Sequence, residues 1–415
     1  MSEKLFVHAD LGNGDVVLAG QLLVDNTQGR FKYARAYLEN PRAFALDPIN
    51  LPLTEGVHVN PRTRETPGVF GVLIDAGPDE WGRRQLSKTR RPPPVTPVEF
   101  LLAASGEGVG ALHFTAEIRD QPKPPPQRPF ENLVHLQRIA ADIEAGREVD
   151  RSLEPYFFHG SGLGGARPKT LIDHDGRHWI AKFGRDSDLV DMCRVEFAAM
   201  RMARAAGIDV PDVAFTETAR GGVVLVERFD RSGTAQHHLI SVASLINKFD
   251  ITQFDEAAMS YPGIVQLGKR IGARTDRLAE VIFRRMAFNV AIGNTDDHLR
   301  NHAFYKIASE RDYLLTPAYD IVPNTGLQGS HAIALGAFGS TPSRDNFEAA
   351  AHRMGLARDV AVAIARDVLA VAARWREYMA EAGVGNADMG VLERCFALQS
   401  VLNEFAERAG ARAIA

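Results

Sequence analysis

Cysteine is nearly absent from this chain: Cys193 and Cys395 are the only two in 415 residues, and they lie far apart. A disulfide framework and a cysteine-ligated zinc site are therefore not expected, and a reducing compartment is the simplest setting. Long hydrophobic runs are also missing, since no stretch approaches the ~18 consecutive apolar residues of a membrane span. Residues 360–375 come nearest, but Arg366 and Asp367 interrupt them, which predicts an amphipathic helix. The opening MSEKLFVHAD has neither the basic start nor the apolar run of a signal peptide. A cytoplasmic protein with no membrane partner is expected. Charge of one sign is lacking too: 48 basic against 52 acidic residues give a net charge of -4, so no global field favours nucleic acid.

What is there is an ordinary globular composition, 45% hydrophobic and 24% charged, in a chain long enough for two or three domains. Residues 5–11 and 16–24 flank Gly12-Asn13-Gly14 and predict a hairpin, with a further strand over 30–33 and a helix near 78–86. Proline runs at 92–94 and 124–126 cannot pair in a central sheet. The second run sets the expected domain boundary. The division is 1–125, a β-containing domain; 126–235, a small lobe; and 236–415, a helical lobe. From 160 to 165 the sequence is GSGLGG, followed by predicted strands over 169–173 and 177–183 around an Asp175-Gly176 turn. A helix over 187–206 should end at Gly207, and strands over 210–217 and 222–229 follow.

The order of these elements carries more than any one motif. Glycines let backbone N–H groups close on phosphates, though they also serve in plain loops. Lys182 alternates with Ala181 and Phe183 along its strand. Glu196 falls inside the apolar stripe Met192, Ala199, Met200, Ala203 of the next helix. A carboxylate facing a core needs a cation, and Lys182 is the natural one. Loop, strand, strand with Lys and helix with Glu is the arrangement by which protein kinases hold nucleotide phosphates; a surface lysine and a helix-edge glutamate are the plainer reading. Farther on, Asp296 and Asn301 stand five apart, the spacing of a kinase catalytic loop, and Asp320 follows nineteen residues later. One carboxylate, one amide oxygen and ATP phosphates can complete a Mg²⁺ site. Two competitors remain open on spacing alone. His298 and His302 could ligate a metal in a hydrolase, or the stretch could be a capping turn rich in Asp and Asn.

These residues resemble the HipA-type Ser/Thr kinase toxins of bacterial toxin–antitoxin modules. The likeness lies in Gly164-Gly165-Ala166-Arg167-Pro168-Lys169, Val226-Glu227-Arg228-Phe229-Asp230-Arg231, residues 294–301 and Tyr319-Asp320. It extends to Phe31-Lys32-Tyr33, Pro78-Asp79-Glu80-Trp81-Gly82-Arg83 and Val109-Gly110-Ala111-Leu112-His113-Phe114. The resemblance implies an α+β fold: a protein-kinase-like two-lobed catalytic domain with an appended N-terminal β-containing domain. It also implies ATP and Mg as cofactors and transfer of phosphate to protein Ser or Thr. Gly162, Gly164, Gly165, Ala166 and Lys182 would then hold ATP phosphates, and Glu227, Arg228 and Phe229 the adenine. Asp296 would be the base, Asn301 and Asp320 the metal ligands, and Glu196 the ion-pair support. Gly162 stands where the family carries an autophosphorylated serine, so self-phosphorylation is expected at Ser161 or not at all. Implied partners are a small helix-turn-helix antitoxin, DNA only through that antitoxin, and a protein substrate such as an aminoacyl-tRNA synthetase. Two alternatives share the fold: a nucleotide-binding corepressor or adaptor with little kinase activity, and a small-molecule kinase.

Overall fold

The computed structural model describes the chain except residues 1, 13, 63–66, 123–127, 148–164, 247–258, 275, 308–309, 327–328 and 408–415. The described residues form an α+β fold that divides into two compact units, each assembled from several stretches of chain. The first comprises 1–183, 227–251 and 303–314, and the second 184–226, 252–302 and 315–415.

In the first unit the expected hairpin is present as Glu3–Asp10 paired antiparallel with Val16–Val24. Gln28–Tyr33 and then His58–Pro61 extend the sheet on one side, and Leu112–Thr115 extends it on the other. Alternation drives this: Phe31 and Tyr33 are buried while Arg30 and Lys32 face out. Phe31, Tyr33, Tyr37 and Phe70 stack beneath the sheet, with Phe31 edge-on to Tyr33 at 5.0 Å. The helix Glu80–Thr89 starts at Asp79, whose side chain caps Gly82 N. Pro97–Ala103 starts with a capping box of Thr96 and Glu99.

Farther along this unit, Lys169–His174 pairs antiparallel with Arg177–Phe183 in register Lys169↔Lys182. Asp175 and Gly176 both take positive φ, as a two-residue turn that matches strand twist demands. A second pair, His238–Ser241 with Ala303–Lys306, lies in the same unit. Its first strand is anchored by Asp75, which accepts from Ser241 N at 2.8 Å and Ser241 Oγ at 2.9 Å.

The second unit is mainly helical. Met192–Ala205 begins at the cap Asp191, five residues later than expected, and is followed by Gly207 at φ +76. Its stripe is buried as the spacing requires, Glu196 included, at 4% exposure. Val213–Thr218 and Gly221–Glu227 form an antiparallel hairpin. Leu278–Ala291, Arg344–Met354, Arg358–Ala372 and Gln399–Glu407 pack around Phe283, Phe347 and Phe405, whose ring centroids lie 5.5–6.2 Å apart. Among the described residues no helix is long and apolar enough to cross a membrane.

Candidate active site

The helix Leu278–Ala291 ends in a tight turn at Gly293, where φ is +66. No other residue fits there, because a Cβ would sit 2.3 Å from the Cys395 carbonyl oxygen. The chain then passes through residues 294–298 and makes a single 3-10 turn, Leu299–Asn301.

The turn separates its two neighbouring aspartates. Asp297 is buried, and its Oδ2 accepts from the Tyr261 hydroxyl at 2.5 Å and from Asn289 Nδ2 at 2.8 Å. His302 Nε2 lies 2.8 Å from the same oxygen. Burial alone would push this carboxyl up, but His302 and these hydrogen bonds outweigh it and hold it below the usual range. Asn294 secures the network by donating to Asn289 Oδ1 at 3.0 Å.

Asp296, one residue earlier, is exposed. Partial desolvation raises its carboxyl above the usual range, and the nearby charges of Asp320 and Asp297 add to this against the opposing His298. Asn301 is buried, yet its Oδ1 has no hydrogen-bond partner among the described residues. A buried acceptor without a donor costs free energy unless something meets it. A cation coordinated by this oxygen and by the Asp320 carboxylate would do so, and both are the hard oxygen ligands Mg²⁺ takes. The residues therefore fit that ion.

Asp320 is held opposite by three connections between its own segment and the catalytic turn. Tyr319 donates its hydroxyl to the Arg300 carbonyl at 2.7 Å, Asn324 Nδ2 donates to Thr295 Oγ1 at 2.8 Å, and Asn324 N donates to Gly293 O at 3.0 Å. Asp320 takes φ +58, a left-handed conformation that Asp tolerates better than most side chains. Asp320, Asp296 and Asn301 are thus brought to one place. Tyr261, Asn289 and Asn324, which hold them there, carry no spacing signal in the sequence.

The histidine competitor fails on geometry. His298 and His302 both have extended backbone on either side of the 3-10 turn, so they do not share a helix face, and His302 is engaged with Asp297. Among the described residues no group of three or more His, Cys, Asp or Glu side chains is placed to ligate a metal.

The remaining expected residues lie as follows. Lys182 is half-buried near the end of its strand in the first unit, and Glu196 is buried in the second. Ser161, Gly162 and Gly164 lie outside the described residues; Gly165 takes φ +112 beside Ala166. At the stretch expected to meet adenine, the Arg228 guanidinium is committed: it donates to both oxygens of Asp230 at 2.9 and 2.8 Å and to Gly108 O at 2.9 Å. Arg231 also donates to Asp230, at 2.8 Å. Burial would raise the Asp230 carboxyl, but the two guanidinium groups drive it far below the usual range. The Arg228 N–H is used as well, donating to His178 O at 2.8 Å. The Nε and Nη2 donors of Arg228 and its backbone N–H are thus engaged within the fold.

The family model of the HipA-like C-terminal domain matches residues 161–375, and that of the HipA N-terminal domain matches 15–115. A curated protein of Sinorhizobium fredii named "Putative kinase Y4dM" is 30% identical over 173 residues, 39% of this chain and 41% of that protein. The chain thus matches less than half the length of that relative. Among solved structures, HipA from the Shewanella oneidensis MR-1 complex of HipA, HipB and operator DNA is similar at a TM-score of 0.69 and 18% identity. That match covers 97% of this chain and 99% of the other, and at this identity it speaks to the fold. With the C-terminal model alone spanning more than half of the sequence, the chain belongs to the HipA family.

Proposed function

We propose that this protein is an ATP- and Mg-dependent serine/threonine protein kinase, the toxin of a toxin–antitoxin module. The observation that carries the reading is the division of labour around the catalytic turn. Asp297 is buried with three partners on its Oδ2, Asp296 is exposed with a raised proton affinity, and the buried Asn301 Oδ1 has no partner among the described residues. That is the set of properties a general base and a metal ligand require, and no structural turn needs them.

In this reading Asp296 accepts the proton of the attacking protein hydroxyl as its oxygen bonds to the γ-phosphorus and the bond to the bridging oxygen breaks, releasing ADP. Its raised proton affinity favours that transfer. Asn301 Oδ1 and the Asp320 carboxylate would hold the metal, and Tyr319 and Asn324 keep the two segments in register. Bound Mg²⁺ would supply charge neutralisation at the phosphate oxygens. Lys182, oriented by Glu196, neutralises phosphate charge, and Gly162, Gly164, Gly165 and Ala166 offer backbone to it. Glu227, Arg228 and Phe229 border the adenine through their backbone and side chains. Self-phosphorylation is then at Ser161 or absent.

The Y4dM relative's name supports a kinase, and the association of Shewanella HipA with HipB and operator DNA supports a small helix-turn-helix antitoxin as partner. DNA contact would then be indirect, the site of action cytoplasmic, and the target a translation-related protein such as an aminoacyl-tRNA synthetase. The test is label transfer from γ-labelled ATP with Mg²⁺, using purified protein with cell lysate and Asp296→Asn as control. A labelled band lost in the variant supports the reading. Mg-ATP binding without transfer to protein would favour an adaptor or a small-molecule kinase instead.

A further inference from the structure

We propose that Asp79 is a positioning residue for the nucleotide-phosphate segment, acting through Lys169. The inference rests on the kinase reading above, because that reading assigns Gly165, Ala166 and Lys182 to ATP.

Lys169 and Asp79 stand ninety residues apart in sequence and form an ion pair at 2.7 Å, with side chains 4% and 2% exposed. The same ammonium donates to the Gly165 carbonyl at 3.3 Å. Gly165 has φ +112, and a Cβ on it would approach Lys169 Nζ to 2.7 Å, so the lysine packs directly under the glycine's left-handed turn. Asp79 is itself fixed. Its Oδ1 caps the helix Glu80–Thr89 by accepting from Gly82 N at 2.8 Å, and its Oδ2 takes the lysine. Trp81, fully buried one turn into that helix, donates Nε1 to the Lys169 carbonyl at 2.9 Å. One short stretch, Pro78-Asp79-Glu80-Trp81, therefore holds Lys169 by backbone and side chain together.

The strand register gives this brace a consequence. Lys169 pairs with Lys182, and directly opposed residues of antiparallel strands project from the same face. Two ammonium groups side by side repel, and Asp79 neutralises the one that supports Gly165. Lys169 is thereby committed as a strut under Gly165. A buried ion pair is a weak source of stability compared with apolar packing, which leaves placement of Gly165 as the gain.

The test measures Mg-ATP affinity with a fluorescent ATP analogue on the full chain, together with kcat, KM for ATP and the thermal midpoint. The variants are Asp79→Asn, Lys169→Met and the double variant. Asn at 79 keeps Oδ1 for the helix cap, so the fold is retained when the ion pair is removed. Each single variant should raise the Kd and KM for ATP by about tenfold while kcat at saturating ATP changes less than about threefold. The double variant should be no worse than either single, since the two residues act as a unit. Wild-type binding that both variants leave unchanged, additive losses, or tighter binding by Asp79→Asn would each overturn the brace while leaving the kinase reading intact. A wild-type chain that binds no Mg-ATP would overturn the kinase reading and this inference with it.

Discussion

The Tyr319 hydroxyl donates to the Arg300 carbonyl at 2.7 Å, which ties the residue before Asp320 to the residue before Asn301. The two proposed metal ligands are thus linked through their neighbours' backbone and side chain. Tyr319→Phe removes this bond, at a stability cost of about 1 kcal/mol. It should weaken Mg²⁺ dependence of nucleotide binding several-fold, read from a Mg²⁺ titration of ATP affinity. An unchanged titration would show that the link does not set the metal site.

Asp296→Asn and Asp297→Asn should part company. The first alters an exposed side chain: kcat falls roughly 10²–10⁴-fold, while ATP affinity and thermal midpoint stay close to wild type. The second breaks a buried network centred on one oxygen, and folding should lose on the order of 2–3 kcal/mol. Thermal unfolding and kcat, measured on both, distinguish the roles; equal loss of ATP binding and transfer in a folded Asp296→Asn protein would falsify the base assignment.

Asp320 combines the carboxylate proposed to bind the metal with a left-handed backbone, φ +58. Asp320→Gly relieves the strain and Asp320→Ala does not, so the Gly variant should be the more stable by about 1–2 kcal/mol. Both should lose Mg²⁺-dependent ATP binding. Magnesium-dependent binding that survives in either variant would refute the ligand role.

Gly293→Ala should be among the most damaging small substitutions in the second unit. It places a methyl 2.3 Å from the Cys395 carbonyl at φ +66, and a cost of roughly 2–4 kcal/mol follows. The catalytic turn begins there, so activity at a temperature well below the midpoint should fall as well. A variant with wild-type stability would mean that the residues around Cys395 yield easily.

Acid should destabilise the protein before its surface carboxylates titrate. Burial holds His113, His238 and His331 at about 4, against an ordinary 6.5, so unfolding takes up their protons below 6.5. Their contribution is complete above 6.5 and is lost as pH falls towards 4. Asp47, pushed up to about 6 by burial, works the other way: its contribution is present below 3.8 and lost as pH rises through 6. The lowered histidines outweigh Asp47, so unfolding takes up protons on balance near pH 5. The thermal midpoint should therefore decline steadily from neutral pH to about pH 5; a flat profile would mean that these histidines are hydrated.

Local pattern carried much of this in the sequence itself. The Asp175-Gly176 turn and its strands, the cap at Gly207, the buried stripe with Glu196 and the five-residue step from Asp296 to Asn301 all depend on neighbours a few residues away. Turn preferences and helical periodicity fix such features before any tertiary contact forms. The motifs likewise pointed to the HipA family. Tertiary structure decided which of two adjacent aspartates is buried, because the Tyr261 hydroxyl, thirty-six residues away, and Asn289 of the preceding helix both reach Asp297. It turned the Arg228 side chain onto Asp230 and Gly108, and it engaged His302 with Asp297 so that no histidine pair faces a metal. It also joined Asp79 to Lys169 across ninety residues. Pairings of that kind follow from which buried charge finds which partner once the core has packed, and no periodicity along the chain encodes them.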